Sequence, residues 1–122
     1  MSQSETPKPP RGTRAAGRRF WQAVVDAYDL TDGELALLAQ VTGTLDVIAD
    51  LEAAAADQPT VIDGPHGQKV SPVLAELRQQ RLALARLLSA LRLPTSPAEL
   101  DDLTRPQRRS GVRGTYKLGL AK

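Results

Sequence analysis

Residues 31–56 read TDGELALLAQVTGTLDVIADLEAAAA, and this stretch decides the architecture. Thr31-Asp32-Gly33-Glu34 forms a capping box. The Thr31 hydroxyl is placed to accept the Glu34 backbone N–H, while the Glu34 carboxylate reaches back to the Thr31 N–H. Asp32 falls in the first turn, where a negative charge favours the helix dipole. Beyond the box, Leu35, Leu38, Val41, Leu45, Ile48 and Leu51 recur every three or four residues, the period of one helix face. Asp46, Asp50 and Asp57 fall on the reverse face and read as solvated charges. In principle Asp46 and Asp50, four apart, could hold Mg²⁺, but such sites normally borrow substrate phosphates as well. The sequence predicts a helix from Asp32 to about Ala56, about 37 Å long at 1.5 Å per residue. One small domain cannot cover such a rod.

Working outward, residues 58–71 change texture. Two short apolar runs, around Val61-Ile62 and Val70, flank Asp63-Gly64-Pro65-His66-Gly67, which predicts a small β-hairpin or irregular tongue. Ser71 and Pro72 then restart a helix, with Ser as N-cap and Pro at the first helical position. Leu74, Leu77, Leu84, Leu87, Leu88 and Leu91 carry it to about Arg92, and Pro94 ends it. Ser96-Pro97-Ala98-Glu99 reads as a second capping box opening a short helix to about Leu103. Upstream, Phe20, Val24 and Tyr28 share a face of a helix that begins between Thr13 and Arg18. Asp29-Leu30 breaks it.

The expected fold is all-α: a short N-terminal helix packed across a long antiparallel helical hairpin with a β-like tongue at its tip. Each long helix buries one stripe against the other, so the pair needs neighbours, and self-association supplies them most cheaply. The Leu stripes, Leu35, Leu38, Leu45, Leu77, Leu84 and Leu91, are the expected oligomer interface.

Charge is sorted along the chain. Residues 1–19 hold five bases against one acid, net +4, and residues 104–122 hold six bases and no acid. Residues 20–103 carry five bases and thirteen acids, net −8, so a polyanion would meet the ends and be repelled by the body. The expected division is a flexible basic arm over 1–16, a helical core over 17–103 and a basic tail over 104–122. Between Arg105 and Lys117 five bases, Gly111, Gly114 and Tyr116 suit a segment that tracks phosphates without reading sequence. Residues 112–120 alternate weakly, a strand pattern that a partner could complete.

Other chemistries find little support. The chain has no Cys and a single His, His66, which reads as a solvated turn residue. There is no nucleophile–base arrangement and no glycine-rich phosphate loop, so no enzyme, metal site or cofactor is expected. With no apolar run of about 18 residues and no secretion signal, the expected location is cytoplasmic. Phe20, Trp21 and Tyr28 read as core, with base stacking the alternative. A helix–turn–helix is disfavoured, because its second helix would present Asp32 and Glu34 to a groove lined by phosphate.

One ordered set of motifs adds to this. Residues 17–30, GRRFWQAVVDAYDL, precede an acid-capped helix and a glycine-containing tongue, followed by Ser71-Pro72 and a Leu-rich helix ending Leu91-Arg92-Leu93-Pro94. The order resembles the phage terminase small-subunit family, in which a G-x-x-[FYW]-W segment, a Tyr-x-Leu, a Gly tongue closed by Pro and a terminal L-G-L-x-P recur. The likeness spans residues 17–97. Arg92 replaces the family's glycine, and residues 97–100 stand where an S-x-R often occurs.

The resemblance implies a non-enzymatic packaging factor that assembles into a ring, binds double-stranded viral DNA and delivers it to the large terminase subunit, the ATPase and nuclease, in the infected host cell. Lys8, Arg11, Arg14, Arg18 and Arg19, with Arg108, Arg109, Arg113 and Lys117, are the expected phosphate contacts. The C-terminal segment is the expected contact for the large subunit. A helical adaptor for a protein partner and a small dimeric transcriptional regulator remain the alternatives.

Overall fold

The computed structural model describes residues 5–109 of the 122-residue chain. Those residues form α1 (Ala15–Ala27), β1 (Tyr28–Asp29), α2 (Asp32–Ala55), β2 (Val61–Gly64), β3 (Gly67–Val70), α3 (Pro72–Leu91), α4 (Pro97–Leu100) and β4 (Gln107–Arg108). The fold is mostly helical. The expected β-like tongue is an antiparallel pair, β2 with β3, and the one addition to the expected helical plan is a second short pair, β1 with β4.

α2 starts as its capping box dictates. Thr31 Oγ1 accepts from the Glu34 N–H at 3.1 Å, and the Thr31 N–H donates to Glu34 Oε1 at 2.8 Å. α2 and α3 pack along their length. The β2–β3 hairpin joins them, with Val61 opposite Val70 and Gly64 opposite Gly67 across the Pro65-His66 tip. Gly67 has φ of 109°, which a side chain would strain.

Two caps differ from expectation. Ser71 stands at the N-cap of α3 with Pro72 after it, as expected, but its side chain makes no capping bond; its hydroxyl donates to Gln58 Oε1 at 3.2 Å and its N–H to the Thr60 carbonyl, so the buried serine ties the foot of the hairpin instead. At α4 the Ser96 hydroxyl accepts the Glu99 N–H, but the Glu99 carboxylate takes the N–H and hydroxyl of Thr95 rather than returning to Ser96. α4 is a single turn that stops at Leu100, short of Leu103.

α1 crosses α2 at Gly17. A Cβ there would stand 2.6 Å from the Thr42 carbonyl oxygen, so only glycine permits the approach. The crossing brings Trp21, Val24 and Val25 onto Leu38 and Leu91, with Phe20, Tyr28, Leu30, Leu35 and Leu93 packed around them. Farther along the α2–α3 seam, Val41, Ile48 and Leu77 are buried.

Leu38, Leu77 and Leu91 are therefore buried inside a single chain, and Leu35, Leu45 and Leu84 are half-buried in the same seam. The Leu stripes face each other and α1. Leu38, Leu77 and Leu91 are thus covered by the chain's own helices rather than turned outward, while Leu35, Leu45 and Leu84 keep part of their surface exposed.

α3 ends at Leu91, and Arg92 at its C-cap takes the left-handed conformation, φ 59° and ψ 43°. The chain then turns back through α4 to reach the far end of α1. There β4 pairs with β1, Tyr28 opposite Arg108, and the Arg109 N–H donates to the Ala27 carbonyl at 2.7 Å. Pro106 is fully buried. Residues 106–109, beyond the expected core boundary at 103, thus pack against α1 and β1. No helix among the described residues is long and apolar enough to cross a membrane.

Candidate nucleic-acid interface

Both charged ends of the described chain lie against α1. At its N-terminus Arg14 offers no side-chain cap. Instead Asp46, from the middle of α2, accepts the Arg14 N–H at 2.7 Å and the Gly17 N–H at 2.8 Å. A carboxylate at a helix N-terminus satisfies open donors and meets the positive end of the dipole. Asp46 is buried, which corrects its assignment to a solvated face.

One turn along, Asp50 receives both guanidinium nitrogens of Arg14, at 2.6 and 2.8 Å. That hydrogen bond and charge hold the Asp50 carboxyl below its ordinary value and raise Arg14. Both aspartates are thus engaged by protein donors.

The segment before α1 is strapped down. The Pro7 carbonyl accepts the Trp21 indole N–H at 3.0 Å, and Thr13 folds back on Pro10. Pro7, Pro9 and Pro10 stiffen this strap, so exposed Lys8 and Arg11 are carried along the helix surface. Arg11 lines a cleft of about 200 Å³ between the strap and α2. Within the expected arm, Pro7 is thus tied to α1 and Arg14 to α2.

On the outward side of α1, Arg18, Arg19 and Gln22 are exposed. Arg18 donates to the Thr13 carbonyl at 2.7 Å, and Gln22 donates to Asp26 at 3.0 Å. At the C-terminal end Arg109 donates to the carbonyls of Val25 and Tyr28, at 2.7 and 3.2 Å, and pairs with Asp29 at 2.9 Å. It caps the open carbonyls of α1 from 84 residues away. Exposed Arg108 lies over Tyr28, its guanidinium carbon 5.7 Å from the ring centre.

The nine expected phosphate contacts sort themselves accordingly. Lys8, Arg11, Arg18, Arg19 and Arg108 are exposed and free of acidic partners among the described residues. Arg14 and Arg109 differ from these: each neutralises an aspartate and holds an end of α1. Arg113, Lys117 and the strand pattern of residues 112–120 lie outside the described residues.

Asp29, Asp46 and Asp50 are all engaged by protein donors, and five cations without an acidic partner among the described residues lie on or beside a helix about 20 Å long at 1.5 Å per residue. The aromatics hold this surface together rather than display it. Trp21 is 4% exposed, and Phe20 and Tyr28 pack on the core. His66 stands exposed at the hairpin tip.

The sequence offered one neglected signal for this arrangement: Asp46 is a lone acid inside the apolar run Leu45–Ile48, a position that requires buried partners. Compared with known proteins, the chain matches no family model, no curated protein and no solved structure.

Proposed function

We propose that this chain is the small terminase subunit of a tailed phage: a ring-forming factor without catalysis of its own that grips double-stranded viral DNA and passes it to the large ATPase and nuclease subunit in the cytoplasm of the infected host. The observation that carries the DNA-binding part is the set of unneutralised cations around α1, Lys8, Arg11, Arg18, Arg19 and Arg108, beside aspartates already engaged internally. Such a surface attracts phosphate without reading bases. Repeated around a ring, it gains through avidity what one copy lacks.

Two backbone features support the family reading. Gly17 stands where α1 needs a residue without a Cβ. Arg92, which replaces the family's glycine, takes the left-handed conformation that glycine favours.

Binding to a random duplex of about 40 base pairs, measured across a salt series, tests the reading. Each phosphate contact adds about 0.9 to the log–log salt slope. The double variant R18A/R19A is expected to weaken binding about tenfold or more and to lower that slope by about 2 per engaged protomer. An unchanged slope removes α1 from the interface. Light scattering that finds a monomer at high protein concentration removes the ring.

A further inference from the structure

Trp21 is the one tryptophan of the chain and sits on the inner face of α1, 4% exposed, in the core with Val24, Val25, Leu38 and Leu91. Packing in that core uses its rings but not its indole N–H, which needs an acceptor once it is buried. The acceptor comes from outside the helix: the carbonyl of Pro7, 14 residues upstream, at 3.0 Å. Among the described residues this is the one hydrogen bond made by residues 5–9.

Residues 7–14 run between two fixed points. At one end Pro7 is bound to Trp21. At the other, Thr13 closes a turn on the Pro10 carbonyl, through its N–H at 3.2 Å and its hydroxyl at 2.6 Å, and Arg14 is held by Asp46 and Asp50. The span between them bridges the cleft over Thr42 and Gly43 rather than filling it, so its ends decide where it lies. Pro7, Pro9 and Pro10 fix their own φ, and each restricts the residue before it. A tie at Pro7 is therefore passed along the strap to Lys8 and Arg11, both exposed and without an acidic partner among the described residues. Arg18 donates to the Thr13 carbonyl at 2.7 Å, which joins the far end of the strap to the cationic side of α1.

Resting on the DNA-binding surface proposed above, we infer that Trp21 is a positioning residue of that surface: through the Pro7 carbonyl its indole N–H holds Lys8 and Arg11 in place for phosphate, and strap docking and duplex binding reinforce each other. An untied arm must be ordered before its cations can meet phosphate, and the entropy lost is subtracted from binding. A tied, proline-stiffened strap has lost it in advance. The linkage is reciprocal. Phosphate held by Lys8 and Arg11 tightens the Pro7–Trp21 contact by the same factor by which the contact tightens phosphate binding.

A cycle of variants, read by salt-dependent binding to the same random duplex, tests the inference. Trp21→Phe keeps an aromatic ring in the core and removes the N–H. K8A/R11A removes the charges and keeps the bond, and is expected to lower the log–log salt slope by about 2 per engaged protomer. In the wild-type background W21F is expected to weaken binding about three- to tenfold. In the K8A/R11A background it is expected to change binding less than about twofold, because the strap has no charge left to present. Pro9→Gly with Pro10→Gly lies outside the core, keeps Trp21 and both cations, and softens the span. It should repeat the pattern, and it carries the test if circular dichroism shows that W21F does not fold.

The fluorescence of the single tryptophan reads the strap directly. Saturating duplex is expected to lower acrylamide quenching of Trp21 in the wild type and to leave it unaltered in K8A/R11A, which still binds through Arg18 and Arg19. A Trp21 that serves the fold alone loosens all of α1 and weakens binding by equal factors in both backgrounds. Equal factors, a K8A/R11A slope equal to that of the wild type, or wild-type quenching that duplex leaves unaltered each overturn the inference while the α1 surface stands. A salt slope that neither R18A/R19A nor K8A/R11A lowers overturns both.

Discussion

Asp46, Gly17 and Arg92 each answer a demand that one backbone position makes. Asp46 satisfies two N–H groups at the start of α1, so Asp46→Ala leaves buried donors without partners. The expected loss is about 1–3 kcal/mol in urea unfolding. Gly17→Ala drives a methyl against the Thr42 carbonyl and forces α1 off α2. That should cost about 1–3 kcal/mol and leave α2–α3 helicity intact by circular dichroism.

Arg92 is held in the left-handed region by its own side chain, which donates to Thr104 at 3.2 Å and reaches Asp102 at 3.4 Å. Arg92→Ala keeps the backbone strain and loses those ties, whereas Arg92→Gly loses the ties but relieves the strain. The glycine variant is therefore expected to be the more stable of the two by about 1 kcal/mol.

Three carboxyls titrate below their ordinary values: Asp50 through the Arg14 hydrogen bond, Glu99 through the Thr95 backbone and hydroxyl, and Asp102 through the Thr104 hydroxyl and backbone. Each binds its proton more weakly folded than unfolded. The stability they add is complete above their unfolded values of about 4 and is lost as the pH falls through the lower folded values. The urea midpoint should drop on acidification below about pH 4. In the triple variant D50N/E99Q/D102N that drop should be shallower.

At the scale of elements, the contrast lies between α2 and the β2–β3 hairpin. α2 is covered by α1 and α3, with Leu38 and Val41 fully buried. The hairpin is two strands with Val61, Val70 and all of β3 exposed. Two unsupported strands are marginal in water. Amide exchange over residues 61–70 is therefore expected to run orders of magnitude faster than over residues 38–48 of α2, and an equal rate would mean that another body covers the hairpin. α1 depends on neighbours at both ends, Asp46 at the start and Arg109 at the finish. Arg109→Ala should speed exchange in its last turn, residues 25–28, without altering α3.

For the whole molecule, truncation separates stability from binding. Removing residues 110–122 leaves β4, Pro106 and Arg109 in place, so the slow amide exchange of residues 25–28 that they protect should persist. Removing 104–122 also strips the cap and strand from α1 and is expected to cost roughly 2–3 kcal/mol. A weaker salt slope in the shorter deletion then reports phosphate contacts alone, uncontaminated by unfolding.

Residues 31–56 and 71–92 determined their own helices, because capping and periodicity act within four residues and the sequence displays both. The tongue was legible for the same reason: Gly64, Pro65 and Gly67 turn the chain locally. The basic ends were visible as composition, but the division of their cations was not. Whether Arg14 and Arg109 face solvent or an aspartate depends on contacts across 36 and 80 residues. Local pattern carries no information about such pairings. The same limit hid the cover over Leu38, Leu77 and Leu91, since periodicity marks a buried face without saying what buries it. Tertiary packing supplied α1 as the cover, drew Asp46 inside and left the opposite faces of α2 and α3 open.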